Sequence, residues 1–120
     1  MIDEGAFWRG AALFDRGDYF DAHEAWEERW RSIGEPNERL LLQGLIQVAA
    51  AFHKRIVSHA PSSAERLLER GLTKLTACDP ASVPGFALTA FCAALQACKL
   101  HIADEDFDRA QIPQMTAAPR

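Results

Sequence analysis

Residues 40–52, Leu-Leu-Leu-Gln-Gly-Leu-Ile-Gln-Val-Ala-Ala-Ala-Phe, carry only two polar side chains, Gln43 and Gln47. A helix that is apolar almost all round cannot lie on a surface; other helices must cover it on every side. The stretch is also too short to span a bilayer, which needs about 20 apolar residues. It therefore predicts the central, most buried helix of an all-α domain, opened by Pro36, where a missing N–H costs nothing, and running to about Val57. Within it, Gln43, Gln47 and Ala50 share one stripe, and Leu42, Ile46, Ala49 and His53 share another.

The remaining segments have the 3.6-residue period of about five amphipathic helices forming one bundle, with the central one third in order. The first runs from about Glu4 to Arg16, with Phe7, Ala11 and Phe14 in register and Trp8 flanking that stripe. Gly17 provides a left-handed stop, and Asp18 then reads as the N-cap of the second helix, with Asp21 at the capping-box position. The turn is tight, so the first two helices should form an antiparallel hairpin. The second helix, from about Tyr19 to Arg31, is closed by Gly34. In the fourth, Ser62 and Glu65 read as a capping box ahead of the one-sided stripe Ala64, Leu67, Leu68, Gly71, Leu72 and Leu75. Asp79-Pro80 ends it. The fifth begins near Pro84 and presents Leu88, Phe91, Cys92, Leu95 and Cys98.

These elements fill residues 1–103 as a single domain. Beyond about Lys99 the periodicity fades, and residues 104–120 hold Asp104, Glu105, Asp106, Asp108, Pro113 and Pro119 with few large apolar side chains. This stretch reads as a loosely held tail that Phe107 and Ile112 tack onto the body.

Composition narrows the classes of function. At 120 residues, 48% hydrophobic and 25% charged, the chain has the make-up of one globular domain. Its net charge of −4, with scattered Lys and Arg, offers no basic face, so no nucleic-acid partner is expected. No membrane association is expected either, and acidic residues follow Met1-Ile2 where a secretory signal would place positive charge. Cys78, Cys92 and Cys98 are odd in number and lack CxxC spacing, so they read as small apolar residues rather than disulfide or zinc ligands. The expected compartment is the cytoplasm, and no cofactor is expected.

The second helix carries the chemistry. Tyr19, Phe20, His23, Trp26, Glu27 and Trp30 share one face, Glu24 lies at its edge, and Asp21, Ala25, Glu28 and Arg29 form the opposite, solvated face. The block Phe14-Asp15-Arg16-Gly17-Asp18-Tyr19-Phe20-Asp21-Ala22-His23-Glu24-Ala25-Trp26-Glu27, followed by Trp30-Arg31, resembles the signature of the domain-of-unknown-function 309 family. A second block, from Leu42-Gln43-Gly44 to Ala51-Phe52-His53, is similar to that family's second motif. The likeness covers roughly residues 14–75. It departs at Ser58-His59-Ala60-Pro61-Ser62, where the family often has a Gly-Asn turn followed by Gly-Ala. The resemblance implies a small helical bundle and no particular reaction, and it singles out His23, Glu24, Glu27, Gln43, Gln47 and His53.

Three readings of this cluster stand side by side. In the first, His23 and Glu27 are largely buried and paired with each other or with Gln47, fixing which helix faces meet. In the second, Trp26, Trp30, Tyr19 and His23 line a cleft against the third helix, with Glu24 and Glu27 at its rim, for a small ligand bearing a cationic or amide group. In the third, His23 and Glu27 bind a metal, with His53 adding a nitrogen, although the other helices offer no apolar-face acids to complete a dinuclear site. The functional alternatives are a binding or structural module, with a small ligand or protein partner or a homodimer through the fifth helix, and a metal-dependent or acid–base enzyme in which His23 is the base and Glu27 its orienting acid.

Overall fold

Helices α1 (Glu4–Asp15), α2 (Tyr19–Ser32), α3 (Pro36–Ile56), α4 (Pro61–Thr76) and α5 (Leu88–Lys99) follow in order in a computed structural model that describes residues 3–116. One 3₁₀ turn, Arg109–Gln111, follows them, and there is no strand among the described residues. Met1, Ile2 and the last four residues of the sequence-predicted tail lie outside the described part.

The α1–α2 turn is set by Gly17. With φ at +85°, it takes the left-handed conformation that L side chains resist, donating its N–H to the Phe14 carbonyl, while the Asp18 N–H reaches the Leu13 carbonyl. Asp18 does occupy the N-cap of α2, but its side chain makes no cap hydrogen bond. Its carboxylate instead binds Arg16 at 2.9 Å, so the expected capping box with Asp21 does not form. Gly34 does not close α2: the helix ends at Ser32, and Ile33 at its C-cap is already extended.

At α3 the cap comes from a residue the helical pattern did not mark. The Glu35 carboxylate accepts from the N–H groups of Glu38 (2.7 Å) and Asn37 (3.1 Å), and these two backbone donors hold its pKa below the usual carboxylate value. At α4 the cap position is Ala60 and Pro61 is the first helical residue. Ser62 thus lies inside the first turn rather than before it, because the proline's fixed φ already sets the entry geometry. Ser62→Ala should therefore change stability by no more than about 0.5 kcal/mol in urea unfolding, where a true cap would cost about 1 kcal/mol. The fifth helix begins at Leu88, four residues after Pro84, and the preceding loop buries Val83 and Phe86.

Helix α3 is the centre of the bundle. Leu41, Leu45, Val48 and Phe52 are fully buried along it, with α2 packed on one side and α4 on another. The α3–α4 crossing is close because glycines face each other there. A Cβ on Gly71 would stand 2.8 Å from the Gly44 carbonyl oxygen and 2.8 Å from Val48 Cγ2. Aromatic packing joins the other elements, with the Phe14 ring 5.1 Å from Tyr19, 5.9 Å from Phe52 and 6.0 Å from Phe91.

The segment after α5 is held more firmly than its composition suggests. Ile102, Phe107, Ile112 and Met115 are buried. Arg55 donates to the Ile102 (2.6 Å) and Asp104 (2.7 Å) carbonyls, and the Asp15 carboxylate accepts from the N–H groups of Met115 and Thr116, both at 2.6 Å. Four anchoring side chains spaced irregularly leave no period in the sequence, so the packing there is invisible to a periodicity argument.

Candidate functional site

Helix α2 turns two different polar faces toward α3, and they behave in opposite ways. The first is a finished structural contact. Glu38, in the first turn of α3, is completely buried, and its carboxylate is held by the Arg29 guanidinium through Nε (2.9 Å) and Nη2 (3.2 Å). The backbone N–H of Asp3 adds a third donor at 3.3 Å. The Glu38 hydrogen bond raises the Arg29 pKa further above its already high ordinary value. Sequence reasoning placed Arg29 on the solvated face, and the structure corrects that. The missed signal was in α3: Glu38, Leu41, Leu42 and Leu45 share one buried face, so an acid there demands a cation.

The second polar face is unfinished. His23, Glu24 and Glu27 come together on it, with side chains 24%, 52% and 28% exposed. His23 Nε2 lies 4.0 Å from Glu27 Oε1, too far for a hydrogen bond, and Nδ1 lies 3.2 Å from Glu24 Oε2 but outside hydrogen-bonding geometry. His23 Nδ1 is sealed from solvent without a hydrogen-bond partner. Glu27 also faces the exposed Arg31 at 3.5 Å. The expectation that His23 and Glu27 are largely buried and hydrogen-bonded is thus not met. The reason lies in α4, where Lys74 Nζ donates to Gln47 Oε1 at 2.9 Å and draws away the partner that the sequence offered them.

Trp30 and Trp26 part company. Trp26 is fully buried and donates its Nε1–H to the Phe7 carbonyl at 3.1 Å, which makes it a core residue tying α2 to α1. Trp30 is half-buried, with the Arg39 guanidinium stacked 4.2 Å from its ring centroid, and its Nε1 is buried with no acceptor. A recess of 130 Å³ lies between Glu27 and Trp30 on α2 and Gln43, Ile46 and Gln47 on α3. Tyr19 is buried at a different place, beside the α1–α2 turn. His53 does not join His23. Its ring lies 5.6 Å from the exposed ring of Phe20, which also stacks 6.1 Å from His23.

One ligand atom each from His23, Glu24 and Glu27 lies within 4.8 Å of the others, a spacing open to a single cation. His53 is not in that group.

Comparison with known proteins adds the family and no reaction. No curated protein matches the chain. The family model for the domain of unknown function DUF309 matches residues 7–67, which takes in most of α1, all of α2 and α3 and the first turns of α4. That match spans both motif blocks and both polar faces of α2, and the chain belongs to the DUF309 family.

Proposed function

We propose that this domain is a binding module whose ligand site is the α2–α3 face carrying His23, Glu24, Glu27, Trp30, Gln43 and Gln47. The observation that supports it is the presence on α2 of two sealed, unpartnered nitrogens, His23 Nδ1 and Trp30 Nε1, with the Glu27 carboxylate 4.0 Å from the other His23 ring nitrogen. A buried polar atom left unpaired costs about 1–3 kcal/mol, and folded proteins keep few of them. A site that gains its partners only when a ligand arrives accounts for both of them on one helix. The ligand chemistry follows from the groups present: Glu27 accepts from a cationic or amide N–H, and the Trp30 indole donates to an oxygen. The recess takes a small head group rather than a whole cofactor.

A second reading is favoured by the convergence of the His23, Glu24 and Glu27 ligand atoms, in which the occupant is a divalent metal ion. Acid–base catalysis by His23 with Glu27 as orienter fits less well, since that dyad calls for a contact of about 2.6–3.2 Å.

The test is an NMR titration of the wild-type protein and Glu27→Gln with acetamide, guanidinium, ethylammonium and Zn²⁺. An organic probe that shifts the Trp30 indole and His23 signals saturably, and binds at least about tenfold more weakly to Glu27→Gln, is the expected result. Saturable Zn²⁺ binding lost in Glu27→Gln, with no response to the organic probes, favours the metal reading. If no probe shifts these signals, the binding proposal fails.

A further inference from the structure

A second recess lies on the far side of Tyr19, where the α1–α2 turn meets the segment after α5. It encloses 200 Å³, with Phe14, Tyr19, Ile112 and Pro113 forming apolar walls. Two polar groups in it, the Arg109 guanidinium and the Tyr19 hydroxyl, have no hydrogen-bond partner among the described residues. Arg109, exposed on the 3₁₀ turn, has neither an ion pair nor a side-chain hydrogen bond among the described residues. Its guanidinium lies over the α1–α2 turn, because Gly17 has no side chain to exclude it: a Cβ there would stand 2.5 Å from Nη1. The Tyr19 side chain is buried, at 5% exposure, and its hydroxyl makes no hydrogen bond among the described residues.

The other charged side chains at this place already have hydrogen-bond partners, and of these only Asp15 keeps a net charge, because its donors are neutral. Arg16 is paired with Asp18 at 2.9 Å. Asp15 also borders the recess, but its oxygens accept from the N–H groups of Met115 and Thr116 and from the Thr116 hydroxyl. That leaves one fork-shaped cation and one hydroxyl without a hydrogen bond among the described residues, beside the apolar side chains of Phe14, Ile112 and Pro113.

We infer that this recess is a binding site for a small organic carboxylate, whose anionic end is held by Arg109 and the Tyr19 hydroxyl and whose apolar body lies between Phe14 and Pro113. A guanidinium matches a carboxylate through two parallel N–H groups, which a compact ammonium cannot do. Tyr19 acts as donor throughout the neutral range: burial, partly opposed by the Arg109 charge and reinforced by Asp15, pushes its pKa up to about 12. The volume is below that of a drug-sized pocket and suits a one-ring or short-chain acid. This site is separate from the α2–α3 face, and neither depends on the other.

Benzoate, benzamide and inorganic phosphate, titrated into the full chain and followed by amide NMR, test the inference. Benzoate is expected to shift the Gly17, Tyr19 and Arg109 signals saturably, with benzamide and phosphate each weaker by at least about tenfold. Arg109→Gln, at an exposed position, should weaken benzoate by at least about tenfold, and Arg109→Lys by less. Tyr19→Phe should weaken it several-fold with Tm unchanged. The inference is overturned if benzoate produces no saturable shift, if benzamide or phosphate binds as well as benzoate, or if Arg109→Gln binds benzoate like the wild type.

Discussion

Arg29→Met is expected to lower Tm on the order of 10–20 °C, among the largest losses from any single substitution in this chain. The effect comes from what is left behind. Glu38 has no exposed surface, and two of its three donors belong to Arg29, so the variant strands a buried carboxylate with only the Asp3 N–H. The Glu38 carboxylate then stays out of water with one donor in place of three, which weakens the native state. The double variant Arg29→Met/Glu38→Leu removes charge and counter-charge together and should recover most of the loss. Thermal unfolding of the two variants checks this. Equal losses in the single and double variants would mean that side-chain packing, not the charge pair, holds α2 to α3.

Gly71→Ala is expected to destabilise the protein by about 1–3 kcal/mol in urea unfolding, although alanine is the better helix former by about 1 kcal/mol. The added methyl would meet the Gly44 carbonyl oxygen and Val48 Cγ2 at 2.8 Å and the Val48 nitrogen at 3.2 Å. Two of these three are backbone atoms, so α3 and α4 must separate for the methyl to fit. Gly34→Ala is the control. A Cβ there meets nothing within 4 Å, and its φ is not in the left-handed region. It should be neutral or slightly stabilising.

The bundle was readable in the sequence because burial on a helix leaves a period. The all-round apolar run of α3 marked the central helix, and the one-sided stripe of α4 matches its buried residues Ala64, Leu68, Gly71, Leu72 and Leu75. Helix starts were less legible. Ser62 and Asp18 each look like side-chain caps, but a proline sets one helix start and an arginine takes the carboxylate at the other. Caps depend on single rotamers, which spacing does not specify. The candidate site was half legible. The shared face of His23, Glu27 and Trp30 followed from helical geometry alone. Which of them would find partners depended on Lys74, on another helix, capturing Gln47, and on Glu38 capturing Arg29. Pairings across helices carry no local pattern, and the hydrophobic stripe gives the same signal for the core residue Trp26 as for the half-buried Trp30.

That the His23 cluster exists for binding rather than for folding is tested most directly by the urea unfolding of Glu27→Gln without ligand. Among the described residues the Glu27 carboxylate faces the exposed Arg31 at 3.5 Å and His23 Nε2 at 4.0 Å, and partly exposed pairs of that kind contribute about 0–1 kcal/mol. Glutamine keeps the shape and gives His23 Nε2 a neutral neighbour. Stability within about 1 kcal/mol of the wild type is therefore the predicted result. A loss of about 3 kcal/mol or more would show that Glu27 belongs to a buried structural network, and would contradict the assignment of this face to a ligand.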